Sequence, residues 1–192
     1  MTCNIMIAGV GGQGTVLASK LIAAAAMKKG YTVRTTETIG MAQRGGSVVS
    51  HIRIGDEAFS PLIPLGKAQT LIAFEPAEAV RQLPFLSQQG ISIVCDSAIK
   101  PVGQSYEAAV ILEYLKANVY KLIVINGQRL TIQNAKTLNV ALLGAAAAQG
   151  NVFPFDAQTL KEVFQEMLPP RFLDINLAAF ELGKGVYNET VR

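Results

Sequence analysis

Residues 4–10 read Asn-Ile-Met-Ile-Ala-Gly-Val, an uncharged and almost wholly apolar run that ends in a glycine-rich turn. A run this short and apolar has no polar side to offer water. It therefore reads as a strand covered on both faces, which places it inside a mostly parallel sheet. Behind the turn, Val16, Leu17, Leu21, Ile22, Ala25 and Ala26 recur at three- and four-residue spacing, and Lys28, Lys29 and Gly30 close the stretch. This spacing predicts a helix over 13–29 with a basic last turn and a glycine stop. Residues 31–36 are β-branched and aromatic, so a second strand follows, and a right-handed crossover would set the two strands parallel.

The alternation continues down the chain. A polar, glycine-containing loop is expected over 37–46, a strand over 47–54 with a turn at Gly55-Asp56, and buried strands over 70–74, 90–95 and 120–125. Helices are expected from Pro76, over 105–117 and over 135–149, with the tail from Asp156 forming two helices broken at Pro169-Pro170. The alanine tetrads at 23–26 and 145–148 read as close-packing helix faces. Together these elements predict an α/β chain: a Rossmann-like open, mostly parallel sheet with helices on both faces and a helical C-terminal tail.

Composition bounds the rest. The chain has 192 residues, of which 50% are hydrophobic and 16% charged, so one domain over 1–192 with one core is expected and intrinsic disorder is excluded. A surface so short of charge predicts that a partner covers part of it. The net charge of +3 is spread out, and Trp is absent, which speaks against nucleic acid as a partner. The apolar stretch 21–27 lies between Lys20 and Lys28, well short of the ~20 residues of a membrane span. No basic segment precedes an apolar one at the start, so a cytoplasmic location is expected. Cys3 and Cys95 read as buried thiols of a reducing compartment, and two cysteines cannot hold an iron-sulfur cluster or a zinc framework by themselves.

Two segments have the character of sites. Gly9-Val10-Gly11-Gly12-Gln13-Gly14 matches G-x-G-x-x-G between a predicted strand and a predicted helix. Such a loop either brings phosphate or a dinucleotide to the helix N-terminus or lets helix and sheet pack closely with no ligand. A dinucleotide would also want an acidic residue at the end of the second strand, where Glu37 is the candidate. The second segment runs from Glu37 through Gly40 to Arg44-Gly45-Gly46-Ser47. An arginine followed by two glycines can hold a carboxylate or phosphate, or can belong to a solvated loop whose glycines only permit positive φ.

These two segments, with Phe74-Glu75-Pro76, Glu78 and Arg81, together resemble the gamma-type domain of 2-oxoacid:ferredoxin oxidoreductases over residues 5–183. Within that family the likeness is to the small (beta) subunits of the indolepyruvate type. The resemblance implies a subunit, inactive alone, of an enzyme that oxidatively decarboxylates an arylpyruvate with coenzyme A as acyl acceptor and ferredoxin as electron acceptor. It places thiamine diphosphate and iron-sulfur clusters on a large companion subunit, and assigns this chain no catalytic residue and no metal ligand. It maps Gly11, Gly12, Gln13 and Gly14 to a loop suited to coenzyme A or to a structural turn. Glu37, Gly40, Arg44, Gly45 and Gly46 map to a motif facing substrate or partner. Pyruvate, 2-oxoglutarate or branched 2-oxoacids are alternative substrates, and a stand-alone NAD(P)-binding oxidoreductase or a simple docking module are alternative readings.

The remaining candidates read as structural. His51, the sole histidine, shares a strand face with Val49 and Arg53 and is expected to be structural or interfacial. Asp96 reads as a cap. Glu75, Glu78 and Arg81 stand at three-residue steps, most simply a salt-bridged helix face, although Glu75 also lies at a strand's carboxyl end.

Overall fold

The computed structural model describes residues 2–40, 45–99, 106–131 and 134–190. Six strands form one sheet: β1 (Cys3–Val10), β2 (Val33–Ile39), β3 (Ser47–Ile54), β4 (Ala68–Ala73), β5 (Leu86–Cys95) and β6 (Lys121–Ile125), in the spatial order β2-β3-β1-β4-β5-β6. β1, β4, β5 and β6 pair in parallel, and β3 is antiparallel to both its neighbours. The helices are α1 (Thr15–Lys28), α2 (Pro76–Gln82), α3 (Ala108–Asn118), α4 (Gly127–Leu130), α5 (Leu138–Gln149), α6 (Ala157–Met167) and α7 (Pro170–Thr190).

Alternation along the buried strands splits the core in two. Ile5 and Ile7 of β1, with Ile72, Ile93 and Ile123, meet α1, α5, α6 and α7 on one face. Met6 and Ala8, with Leu71, Ala73 and Val94, meet Ala79 of α2 and Leu115 of α3 on the other. The open, mostly parallel sheet with helices on both faces is thus as expected. The tail also breaks where Pro169-Pro170 stands, with Pro170 opening α7 in the first-turn position where a missing N–H costs nothing.

Two expectations are corrected. The second strand extends to Ile39, so Glu37 lies within it and not in a loop. Pairing with β3 down to Ile39↔Val48 supplies backbone partners that the local composition does not reveal. Moreover, β1 and β2 do run in the same direction, but β3 lies between them as the return arm of a hairpin.

Candidate functional site

β1 leads into α1 on one face of the sheet, whereas β4 leads into α2 on the other. The carboxyl ends of these adjacent strands therefore open a crevice, the usual ligand position in open α/β sheets. Three sequence segments meet there, each joined to the other two. The Gly11 N–H donates to the Gly46 carbonyl at 2.8 Å. Gln13 Nε2 donates to the Phe74 carbonyl at 3.1 Å, and Ser47 Oγ donates to Glu78 Oε2 at 2.6 Å.

The glycine loop is fastened from within. Val10 N–H donates to Gln13 Oε1 at 2.8 Å, and Gln13 N–H donates to the Val10 carbonyl at 3.2 Å. Gly14 precedes α1 at φ 79°, where an added Cβ would lie 2.5 Å from Asn139 Nδ2. Gly12 is exposed, with open space where a Cβ would stand. A shallow cleft of about 380 Å³ beside the loop is walled by Gly11, Gly12, Thr15, Val16, Ile39 and Val48, none of them charged.

The second segment is only partly in view. Gly40 N–H donates to the Ser47 carbonyl at 2.8 Å, closing the β2–β3 ladder, and Gly45 turns the chain at φ 78°. Arg44 lies outside the described residues. Glu37, half-buried on β2, accepts from Ser19 Oγ of α1 at 3.1 Å. Its carboxylate thus props the helix against the sheet.

A second cleft, of about 330 Å³, lies on the α2 side between Ser47, Glu75, Glu78, Arg81, Ile99 and Tyr106. Glu75 follows β4 directly, is 1% exposed, and caps α2 by accepting from the Glu78 N–H at 2.9 Å. Its other oxygen, Oε1, is buried without a hydrogen-bond partner among the described residues, as is the Tyr106 hydroxyl. Leaving such an atom unpaired costs about 1–3 kcal/mol. Burial raises the Glu75 carboxyl above its ordinary range, and the neighbouring Glu78 adds repulsion against the lowering effects of the capping bond and Arg81. Glu78, also buried, is held by Ser47 and paired with Arg81. What reads in the sequence as a salt-bridged helix face is therefore a pair of buried carboxylates. The signal for it was Glu75 ending a strand; nothing local pointed to Tyr106.

The other candidates are structural. His51 is buried, accepts from the Ile63 N–H through Nδ1 at 3.2 Å and stands edge-on to Phe85, and burial lowers its pKa. Asp96 does not cap the turn that follows it: it accepts from the Gly127 N–H at the start of α4, on the neighbouring strand's end, at 2.8 Å, while Asn126 supplies that helix's cap. Cys95 is buried and Cys3 half-buried; both are free, and burial raises both thiols, Cys3 to about 11. Among the described residues, no helix is long and apolar enough to cross a membrane.

Residues 4–186 match the family model described as pyruvate ferredoxin/flavodoxin oxidoreductase. The chain belongs to that family. An indolepyruvate oxidoreductase subunit IorB from Pyrococcus horikoshii is 40% identical over 189 residues, covering 94% of this chain and 93% of the relative. The fold matches the gamma subunit of a keto/oxoacid ferredoxin oxidoreductase from Geobacter sulfurreducens with a TM-score of 0.73 at 20% identity, covering 97% of this chain and 99% of that one. It also matches a 2-oxoglutarate:ferredoxin oxidoreductase from Magnetococcus marinus, solved with 2-oxoglutarate, coenzyme A and succinyl-CoA bound. There the TM-score is 0.72 at 21% identity, covering 98% of this chain and 31% of that one. This pyruvate ferredoxin/flavodoxin oxidoreductase family member thus aligns with free-standing subunits along nearly their full length, and with about a third of a much longer chain.

Proposed function

We propose that this chain is the small subunit of an indolepyruvate-type 2-oxoacid:ferredoxin oxidoreductase, which converts an arylpyruvate and coenzyme A to acyl-CoA and carbon dioxide while two electrons pass to ferredoxin. The observation that carries this reading is the 40% identity to a named indolepyruvate subunit over almost the whole of both chains. Decarboxylation of a 2-oxoacid needs an electron sink, which protein side chains lack and thiamine diphosphate supplies. In this reading the thiamine diphosphate and the iron-sulfur clusters belong to a large companion subunit.

This chain contributes shape, donors and charge at the carboxyl edge of its sheet. Gly11, Gly12, Gln13 and Gly14 serve there as a structural turn. The bonds of Gln13 to Val10 within the loop and of Gly11 to Gly46 support that role, as does the uncharged wall of the adjoining cleft, which suits coenzyme A phosphates poorly. Gly40, Gly45 and Gly46 face the companion, while Glu37 braces α1.

The test is reconstitution with a thiamine-binding, cysteine-rich large subunit, sought first in the reading frames adjacent to this one. Neither chain alone is expected to reduce ferredoxin. The pair should do so with coenzyme A, with a higher kcat/KM for indolepyruvate than for pyruvate, 2-oxoglutarate or a branched 2-oxoacid. Turnover by the isolated chain, or its tight binding of a nicotinamide nucleotide, would overturn the reading.

A further inference from the structure

The α2-side cleft carries two buried carboxylates against one guanidinium, and the three are not equivalent. Arg81 and Glu78 neutralise each other, and Glu78 also has Ser47. Among the described residues Glu75 Oε1 has no donor, and the hydroxyl of Tyr106, which lines the same cleft, has no partner either. An anion entering here would find Arg81 already engaged and Glu75 opposing it. An apolar group would leave both polar atoms unpaired in a drier site, where the cost rises. A cationic head with several N–H donors satisfies both at once, because it supplies a donor to Glu75 and a second to the phenol oxygen. The cleft opens at the edge where the glycine loop, the β2–β3 hairpin and the start of α2 converge, beside exposed Gly45 and Arg81.

We propose that an arginine or lysine side chain of the companion subunit enters this cleft and donates to Glu75 Oε1 and the Tyr106 hydroxyl. The inference rests on the reading of this chain as a subunit. It adds the chemistry of the contact: a buried acidic socket on a chain whose net charge is +3, so that attraction is local to this cleft and not a property of the whole surface.

Affinity between the two purified subunits, measured by titration calorimetry at low and high salt, tests this. Glu75→Gln keeps an acceptor for the α2 cap and removes the charge. It is expected to weaken association about 10- to 100-fold and to make it less sensitive to salt. Tyr106→Phe, which removes only a hydroxyl, is expected to weaken it about 3- to 10-fold, and it decides the matter if Glu75→Gln does not fold. Wild-type affinity in both variants would overturn the proposal. So would a larger loss on Arg81→Gln than on Glu75→Gln, the signature of an anionic occupant. Failure of the wild-type chains to associate at all is a distinct result, which removes the subunit reading and this inference with it.

Discussion

Glu75 shows how one side chain acquires a character its neighbours in sequence do not announce. In Phe-Glu-Pro it looks like an ordinary helix-capping acid, and it does cap. Burial then raises its pKa above the ordinary carboxyl value of 4.5, so the folded chain holds this proton more tightly than the unfolded one. Its contribution to stability is accordingly fully present below that value and is lost as pH rises through the folded pKa. Glu75→Gln should therefore abolish this loss: relative to wild type it gains stability from about pH 4.5 upward. Urea denaturation of both chains at a series of pH values checks this, and a constant difference across the series would refute it. Ser50 and Ser92, whose buried hydroxyls also lack a partner among the described residues, do not themselves line the cleft.

Among the elements, α5 and α7 pack closely together, and glycine makes the approach possible. A Cβ at Gly144 would meet the Phe180 carbonyl oxygen at 2.1 Å, and one at Gly183 would meet the Ala141 oxygen at 1.8 Å. Backbone cannot yield as a side chain can, so the helices would have to separate. Gly183→Ala should cost about 1–3 kcal/mol, despite the better helix propensity of alanine. Gly185→Ala in the same helix, where a Cβ meets nothing within 4 Å, should instead gain up to about 1 kcal/mol. Opposite signs in chemical denaturation distinguish packing from propensity, and equal signs would count against the close crossing. The alanine stretches read in sequence as packing faces are placed accordingly: Ala23, Ala25 and Ala26 are buried on α1, and Ala145 and Ala146 on α5.

For the whole molecule, the candidate site lies at one end of the sheet. Segments far apart in sequence are bonded to one another there, while α6 and α7 lie on one face of the sheet, packed together through Phe164 and Phe180 at 5.4 Å between ring centroids. If this end docks on a companion subunit, assembly should slow amide hydrogen exchange at Gly12, at Gly45 and through residues 75–81. Exchange in α7 should change little. Mass-spectrometric hydrogen exchange on the free and assembled chain measures both, and protection confined to α7 would place the interface elsewhere.

The fold was largely legible in the residue order, since buried parallel strands have to be short and apolar and their crossover helices have to be periodic. The order of strands was not. β3 looks locally like any strand, and only its pairing shows that it folds back between β1 and β2 and extends β2 as far as Glu37 and Ile39. The candidate site divides in the same way. Its three segments could be picked out one by one, because glycines, a strand-ending glutamate and an arginine are local signals. Their junction, the burial of Glu75 and the nearness of Tyr106 depend on which strand ends come to lie side by side. That choice is made by long-range packing, which local residue preferences leave open.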